Sequence, residues 1–346
     1  MDLDLHIIAA LRLKLRDYMI NKRKKSVITV LMTAMSITSH AGTMGAVKSD
    51  NKNFTFYLAP IYGSLSDAGM NTLPYSTTIN NNVRNTNFIG LDNRWGYSLG
   101  LGYRLGTNKD HDVVLSYTNL QNFGLNQVPV PTGSTINTDP TNGLNLHILN
   151  GPASARVSSY FNFQTTDLIT HHYFQSESLD NVQFSRYYGV KATQWKKGFI
   201  ATYKGNDINQ IQQSNDVTFA ANYFGIGPRI GMGSSWDLLR YLSLMGDVSA
   251  SLLAGSYHTK FDELQYGVGS YSGDYPTVAW GALVVGANLA VGTHVDFSGG
   301  SILGVQVGIN TEQYWSRSAK NDLSAQNYIS NDIVLRDVFL KFSYNV

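Results

Sequence analysis

The sequence contains no cysteine, which excludes a disulfide framework, a thiolate metal site and a cysteine nucleophile. Charge is scarce too: Asp, Glu, Lys and Arg supply 14% of the 346 residues, against ~25% in an average globular protein. The apolar run Ser26–Ile37 (SVITVLMTAMSI) falls well short of the ~20 residues that carry a helix across a bilayer. A basic surface is also missing. Seven of the 26 Lys and Arg and three of the 24 Asp and Glu lie in residues 1–41, so the remainder stands at 19 basic against 21 acidic. That balance offers no stripe for nucleic acid.

What the chain does have is 32 Gly, 21 Tyr and 15 Phe, a composition suited to aromatic strands with small residues on the opposite face. Its N-terminal region has the layout of an export signal. From Met19 it reads MINKRKK, then the apolar run, then Ser39-His40-Ala41 with small residues at the −3 and −1 positions. The expected organisation is therefore a signal peptide over 1–41, cleaved after Ala41, and a single domain over 42–346. Residues 1–18 fit poorly ahead of such a signal and read as an upstream extension of a true start at Met19; a long n-region is the alternative.

The stretch Trp95–Gly106 (WGYSLGLGYRLG) shows the pattern of the domain. Trp95, Tyr97, Leu99, Leu101, Tyr103 and Leu105 alternate with Gly96, Ser98, Gly100, Gly102, Arg104 and Gly106. In a strand these two sets occupy opposite faces, one apolar with aromatics toward both ends and one nearly bare. Similar alternation recurs at Asn53–Tyr62, Asp112–Leu120, Ala153–Phe174 (long for one strand), Asn181–Gln194, Val217–Gly233, Leu239–Ser256, Val278–Val295, Ser301–Trp315 and Asp332–Val346. Long polar stretches such as Gly63–Asn93 and Gln121–Gly151 alternate with tight turns such as Thr107–Asp110, Ser234–Asp237 and Asp296–Gly300. The expected fold is all-β: a transmembrane antiparallel up-and-down barrel of about ten strands, twelve being compatible, with long external loops and short periplasmic turns.

Charge placement tests this assignment, since a charge facing hydrocarbon at mid-depth costs ~2–4 kcal/mol. Arg104, Arg156, Arg229, Asp247, Asp337 and Lys341 all fall opposite the apolar set, and with Glu312 they are the candidate lumen residues. Arg186 shares parity with Phe184 and Tyr188 and requires a place near the membrane edge where it can snorkel. Pro228 gives no ladder hydrogen bond and predicts a bulge or a local break.

Two segments echo each other, Gly100-Leu-Gly102-Tyr-Arg104-Leu-Gly106 and Gly225-Ile-Gly227-Pro-Arg229-Ile-Gly231. A nucleotide-binding G-x-G-x-x-G is excluded because Leu105 and Ile230 stand at the third glycine. Inward glycines would leave room and inward arginines would set a positive constriction; alternatively Arg104 and Arg229 pair with Asp247, Glu312 or Asp337 and fill the lumen. Of eight His, none is tied by spacing to a nucleophile. His171 and His172 point to opposite faces if extended, so no shared metal site is read from them, nor any cofactor or enzyme activity. His258 is expected at a loop base and His294 near a periplasmic end.

The segments GYSLGLGYRL (Gly96–Leu105), RYYGV (Arg186–Val190), FGIGPRIGMGSSWDL (Phe224–Leu238) and VFLKFSYNV (Val338–Val346) resemble the Legionella-type major outer membrane protein family, described as pore-forming. The resemblance runs in blocks over most of the domain and leaves the long loops unmatched. It implies a β-barrel with porin-like or surface-exposed roles, and the expected function is an outer-membrane pore for small solutes or ions, with Gly63–Asn93 and Gln121–Gly151 gating or covering the outer mouth. The alternative from the residues is a non-conducting barrel whose external loops form a binding or adhesion scaffold, since about ten strands enclose little free lumen. Expected partners are outer-membrane lipid and lipopolysaccharide, the barrel-assembly machinery acting on the C-terminal strand, and small solutes or extracellular ligands. The family resemblance departs at the end, where Val346 replaces the usual terminal aromatic. Intact-mass measurement of the protein extracted from outer membranes is expected to give a chain beginning at Gly42, and a mass that retains any of residues 19–41 contradicts the cleavage site.

Overall fold

A computed structural model describes residues 54–67, 74–80, 83–105, 110–137, 148–175, 181–206, 209, 211–239, 241–265, 269–297, 301–316 and 332–346. The signal-peptide assignment, the turn residues 107–109 and the stretch 317–331 lie outside these. Among the described residues every regular element is a strand. Ten of them form a ring: β1 (Phe54–Asp67), β4 (Arg94–Leu105), β5 (His111–Val130), β7 (Ile148–Gln175), β8 (Val182–Asn206), β9 (Gln212–Leu239), β10 (Leu242–Gln265), β11 (Gly269–Asp296), β12 (Ile302–Ser316) and β13 (Ile333–Asn345). Each pairs antiparallel with the next, and β13 returns to β1. Three short strands, β2 (Pro74–Asn80), β3 (Val83–Phe88) and β6 (Thr135–Asn137), extend the sheet from β7 in the order β6, β2, β3.

Closure satisfies every ring strand on both sides, the condition for backbone to cross hydrocarbon. The seam reaches the last residue. Phe54 N–H donates to Val346 O at 3.2 Å, Val346 N–H donates to Phe54 O at 2.9 Å, and Thr55 Oγ1 donates to Asn345 Oδ1 at 2.7 Å. Val346 thus completes the ladder through its backbone, for which no aromatic side chain is needed.

The longer strands exceed what a membrane requires. β7, β9 and β11 have 28 residues each, while a tilted strand crosses with ~9–11. Their alternation reverses partway along. Over the part nearer the short turns, the outer face is apolar and exposed, as in β4 (Trp95, Tyr97, Leu99, Leu101, Tyr103, Leu105) and at Leu168, Tyr188, Val190, Ile226, Ile230 and Leu252. Beyond it the outer face turns polar, with Arg156, Ser158, Gln194, Lys196, Lys204 and Lys260 exposed. The inner face reverses in step, from polar Asp167, Lys191 and Ser251 to apolar Phe161, Phe163, Trp195, Phe199, Leu253 and Tyr257. The lower outer wall faces hydrocarbon and the upper one faces water.

Aromatic pairs bracket the hydrocarbon zone. Phe54 and Tyr103 meet at 4.8 Å near the termini, and Tyr62 and Trp95 at 5.2 Å farther up the same two strands. Eight residues separate each level, roughly 26 Å along a strand at ~3.3 Å per residue. Arg186 is outward and exposed within the first turn-proximal residues of β8, where snorkelling is open to it.

Reversal changes several sequence-based expectations. Ala153–Phe174 belongs to one strand, and its Ala155, Val157, Phe161 and Phe163 face the interior, fully buried. Stretches read as loops are largely strand: β1 continues to Asp67, β5 to Val130, β8 to Asn206 and β10 to Gln265. On β8 and β10 exposed Gln194, Lys196, Lys204 and Lys260 weaken the apolar alternation without ending the ladder, and on β5 inward Asn122, Gly124 and Asn126 do so opposite exposed Phe123 and Leu125. Ser234–Asp237 is still β9, paired with β10. At Pro228 the β9–β10 ladder skips from Arg229–Ser251 to Ile226–Ala254 with register unchanged, while the β8 side pairs throughout; the outcome is a local break with no bulge. Pro60 has the same effect between β1 and β13.

Leu101→Arg, facing hydrocarbon, is expected to lower unfolding stability by ~2–4 kcal/mol in lipid vesicles, whereas Gln127→Arg on the exposed upper face of β5 should stay within ~0.5 kcal/mol. Equal losses in urea titrations would show that the outer wall does not change solvent between these levels.

Candidate functional site in a filled lumen

The interior is built from inward residues of all ten ring strands. Arg229 on β9, Asp247 on β10, Glu312 on β12, and Asp337 and Lys341 on β13 converge there, and inward-facing Arg104 sits cross-strand from Asp112. Arg156 does not join them. It shares outward parity with Leu168 on β7 and is exposed on the upper wall, because the apolar residues used to assign that strand point inward.

Sequence reading passed over the residues that complete the cluster. Lys191 on β8 is fully buried and reaches Glu312 Oε1 at 2.9 Å and Asp167 Oδ2 at 3.5 Å. Arg229 Nη1 lies 2.8 Å from Asp167 Oδ1 and 3.6 Å from Glu312 Oε1, and its Nη2 donates to Ser249 Oγ at 3.1 Å. Tyr314 O–H donates to Glu312 Oε2 at 2.8 Å. Two cations and two carboxylates thus form a neutral quartet. Strands β8 and β12 are separated by three strands one way around the ring and five the other, so the Lys191–Glu312 pair spans the lumen. Lys191 was legible in principle, having parity opposite to Tyr188 and Val190. Asp167 was hidden because it shares parity with Phe161 and Phe163.

Two polar cavities of about 340 and 190 Å³ adjoin the quartet, and Arg229 and Glu312 line both. In the larger one His171 Nδ1 lies 2.6 Å from Asp112 Oδ1, and Tyr173 O–H donates to Asp112 Oδ2 at 2.7 Å. Tyr187 O–H donates to Asp247 Oδ1 at 3.3 Å, and Lys341 Nζ stands 4.3 Å over the Tyr57 ring. Asn310 Nδ2 donates to Asp337 Oδ2 at 3.0 Å. Two of the echoed glycines are occupied, while Gly102 lines the larger cavity. A Cβ on Gly100 would run into the Tyr57 ring and one on Gly231 into the Tyr187 ring, so the bare face makes room for neighbouring side chains.

Above the quartet the interior is aromatic. Phe163 meets Tyr314 at 5.6 Å, Trp195 meets Tyr223 at 5.3 Å and Tyr257 at 5.5 Å, and Tyr257 meets Trp280 at 5.0 Å. These rings come from six strands. Higher still, part of the stretch read as the first long loop turns inward onto them. Tyr203 O–H donates to Tyr75 O at 2.5 Å, Ser159 Oγ to Gly90 O at 2.7 Å and Asn122 Nδ2 to Gly63 O at 3.2 Å, with Tyr75 and Ile89 buried. Elsewhere, His258 lies inside β10 and not at a loop base, with Nε2 2.6 Å from Asp274 Oδ1. His294 is near the turn end of β11, 6.1 Å from the Tyr241 ring.

The family model of the Legionella pneumophila major outer membrane protein precursor matches residues 53–345, the ring and its connections. The chain belongs to this family. Its place is accordingly the outer membrane. No curated protein matched the sequence. Among solved structures, the outer membrane protease OmpT of Escherichia coli is 10% identical, with 88% of this chain and 99% of that one covered at a TM-score of 0.43. A major outer membrane protein of Thermus thermophilus is 12% identical, with 84% and 99% covered at 0.34. Ail of Yersinia pestis is 11% identical, with 85% and 99% covered at 0.25. At these scores the likenesses carry no argument about this family member's activity.

Because removal of one partner strands a buried charge, Glu312→Ala is expected to cost ~3–5 kcal/mol. Lys191→Met combined with Glu312→Leu removes one charge of each sign, so this pair should lose less than the sum of its single changes. Additive losses in urea unfolding would mean that the two side chains do not interact.

Proposed function

We propose that this protein is a closed outer-membrane barrel that serves as a surface-binding scaffold, its lower half an anchor and its upper wall the working part. The observation that carries this reading is the Lys191–Glu312 pair spanning the lumen beneath interlocked aromatic rings. A hydrated solute would have to separate buried opposite charges and then displace packed rings, and a ten-stranded ring has little spare width for either. Strands of 24–28 residues carry a polar outer wall well past the hydrocarbon, where it is accessible to extracellular ligands. No step of this role requires chemistry at the partly buried His171–Asp112 pair, which links β7 to β5.

A second reading, passive diffusion of small solutes or ions, is supported by the polar cavities of about 340 and 190 Å³ in the lower half. It requires the quartet and the segment around Tyr75 and Ile89 to move aside. Planar-bilayer recording distinguishes the two. The folded wild-type protein is expected to show no channel steps, and truncating the plug by Lys191→Ala, Glu312→Ala, Phe161→Ala and Trp195→Ala together should introduce them. Regular steps from the wild type at physiological salt would defeat the scaffold reading.

A further inference from the structure

At the short-turn end, the structure brings together three side chains that the lumen does not use. Asp110 immediately precedes β5, His111 is the first residue of β5, and His172 lies on β7 in direct cross-strand register with His111. His111 Nδ1 is 2.9 Å from Asp110 Oδ1 and His172 Nε2 is 3.8 Å from Asp110 Oδ2. The two imidazoles meet edge to face, with centroids 4.5 Å apart. One donor atom from each residue lies within 4.8 Å of the others.

Backbone pairing explains why they converge. Tyr173 N–H donates to Asp110 O at 2.7 Å, which makes 110 and 173 a hydrogen-bonded pair. His111 and His172 are therefore the neighbouring non-hydrogen-bonded pair, the kind whose side chains approach most closely, with Cα atoms ~4.5 Å apart. Both project outward, opposite in parity to inward-facing Asp112 and His171. This is also why a reading confined to His171 and His172 finds no common site: His172 takes its partners from β5 and not from its own strand. Nδ1 of His172 is buried without a hydrogen-bond partner, which leaves Nε2 as the nitrogen engaged with the cluster. The neighbouring outward residues across the sheet, Leu105 and Arg186, offer no ligand.

We infer that Asp110, His111 and His172 form a binding site for a divalent transition-metal ion of the zinc class. Two imidazole nitrogens and one carboxylate oxygen suit such an ion and not calcium or magnesium, which take oxygen donors. Zinc at ~2.0–2.2 Å from each donor sets donors roughly 3.3 Å apart in a tetrahedron, so modest side-chain rotation closes the set and leaves the fourth position to water. Bound metal clamps the β4–β5 turn to β7 at the membrane edge, a role independent of whether the lumen conducts.

The test uses the full mature protein, folded in detergent and stripped with chelator, titrated calorimetrically with zinc chloride alone. One ion is expected per chain, with a thermal midpoint that rises with zinc. His111→Ala, His172→Ala and the nearly isosteric Asp110→Asn should each weaken binding at least about tenfold and abolish the midpoint shift, while His258→Ala should change neither. Heat-modifiable gel mobility identifies variants that retain the closed barrel, and Asp110→Asn, outside the strands, keeps the test available if a histidine variant does not fold. Absence of zinc binding by the wild type, binding unchanged in the Asp110 and His172 variants, or displacement of zinc by equimolar calcium would each overturn the inference.

Discussion

Each long strand of this barrel has one outer face exposed to two solvents, and the rest of the structure follows from that boundary. Below it, burial of apolar surface against lipid leaves the inner face free to be polar; above it, the outer face must satisfy water and the inner face becomes the only place for a hydrophobic core. Strand β8 shows the switch over a few residues. Val190 faces out and Lys191 in, then Trp195 faces in and Lys196 out. Parity along the strand is unbroken, so no bulge is required; the residue types alone exchange faces.

The boundary also dictates what can close the lumen. In the lower half the interior is polar but narrow, so a lone buried charge there would be costly, and the buried charges occur as a set. Lys191, Arg229, Asp167 and Glu312 balance to zero, with Ser249 accepting one hydrogen bond from Arg229 and Tyr314 donating one to Glu312. Such a quartet adds little net stability over an apolar filling. Its value is positional, since ionic geometry from four strands fixes which inner residues meet. The aromatic layer above is held to the same strands and excludes water from the upper side of the quartet. Ions and rings therefore reinforce one another.

Much of the membrane half was legible in the sequence because its apolar face is outward, dense and periodic: β4, β12 and β13 run close to where alternation put them, with Arg104, Glu312, Asp337 and Lys341 inward. The upper half was not, for a physical reason. Apolar alternation reports which face is buried, but not whether the burying medium is lipid or protein. On β7 that ambiguity sent Phe161 and Phe163 outward on paper, placed Arg156 in the lumen and concealed Asp167. The upper part of β8 read as a loop for the same reason, since Gln194, Lys196 and Lys204 on a water-facing wall dilute the period that marks a strand; on β5 the period was diluted from the inner face, by Asn122, Gly124 and Asn126 opposite exposed Phe123 and Leu125. Cross-strand register was beyond reach as well, which is why the meeting of His111 with His172 emerges only from the ladder.

The glycines decide how the interior is to be understood. Had Gly100 and Gly231 bordered open water, their lack of a Cβ would have widened a passage. Instead each lies cross-strand from a tyrosine whose ring covers it, Tyr57 in one case and Tyr187 in the other. A small barrel that must seat large rings on its inner surface needs bare positions beside them, because ten strands provide no radial depth to spare. At these two positions glycine and tyrosine form a single adaptation, in which volume surrendered at one residue is filled by its neighbour. Tyr187 goes on to hydrogen-bond Asp247 and packs edge-on against His171 at 5.1 Å, so the ring that fills the space over Gly231 also ties β8 to β10 and β7. A glycine that permits such a bridge narrows the lumen more than a larger residue without one.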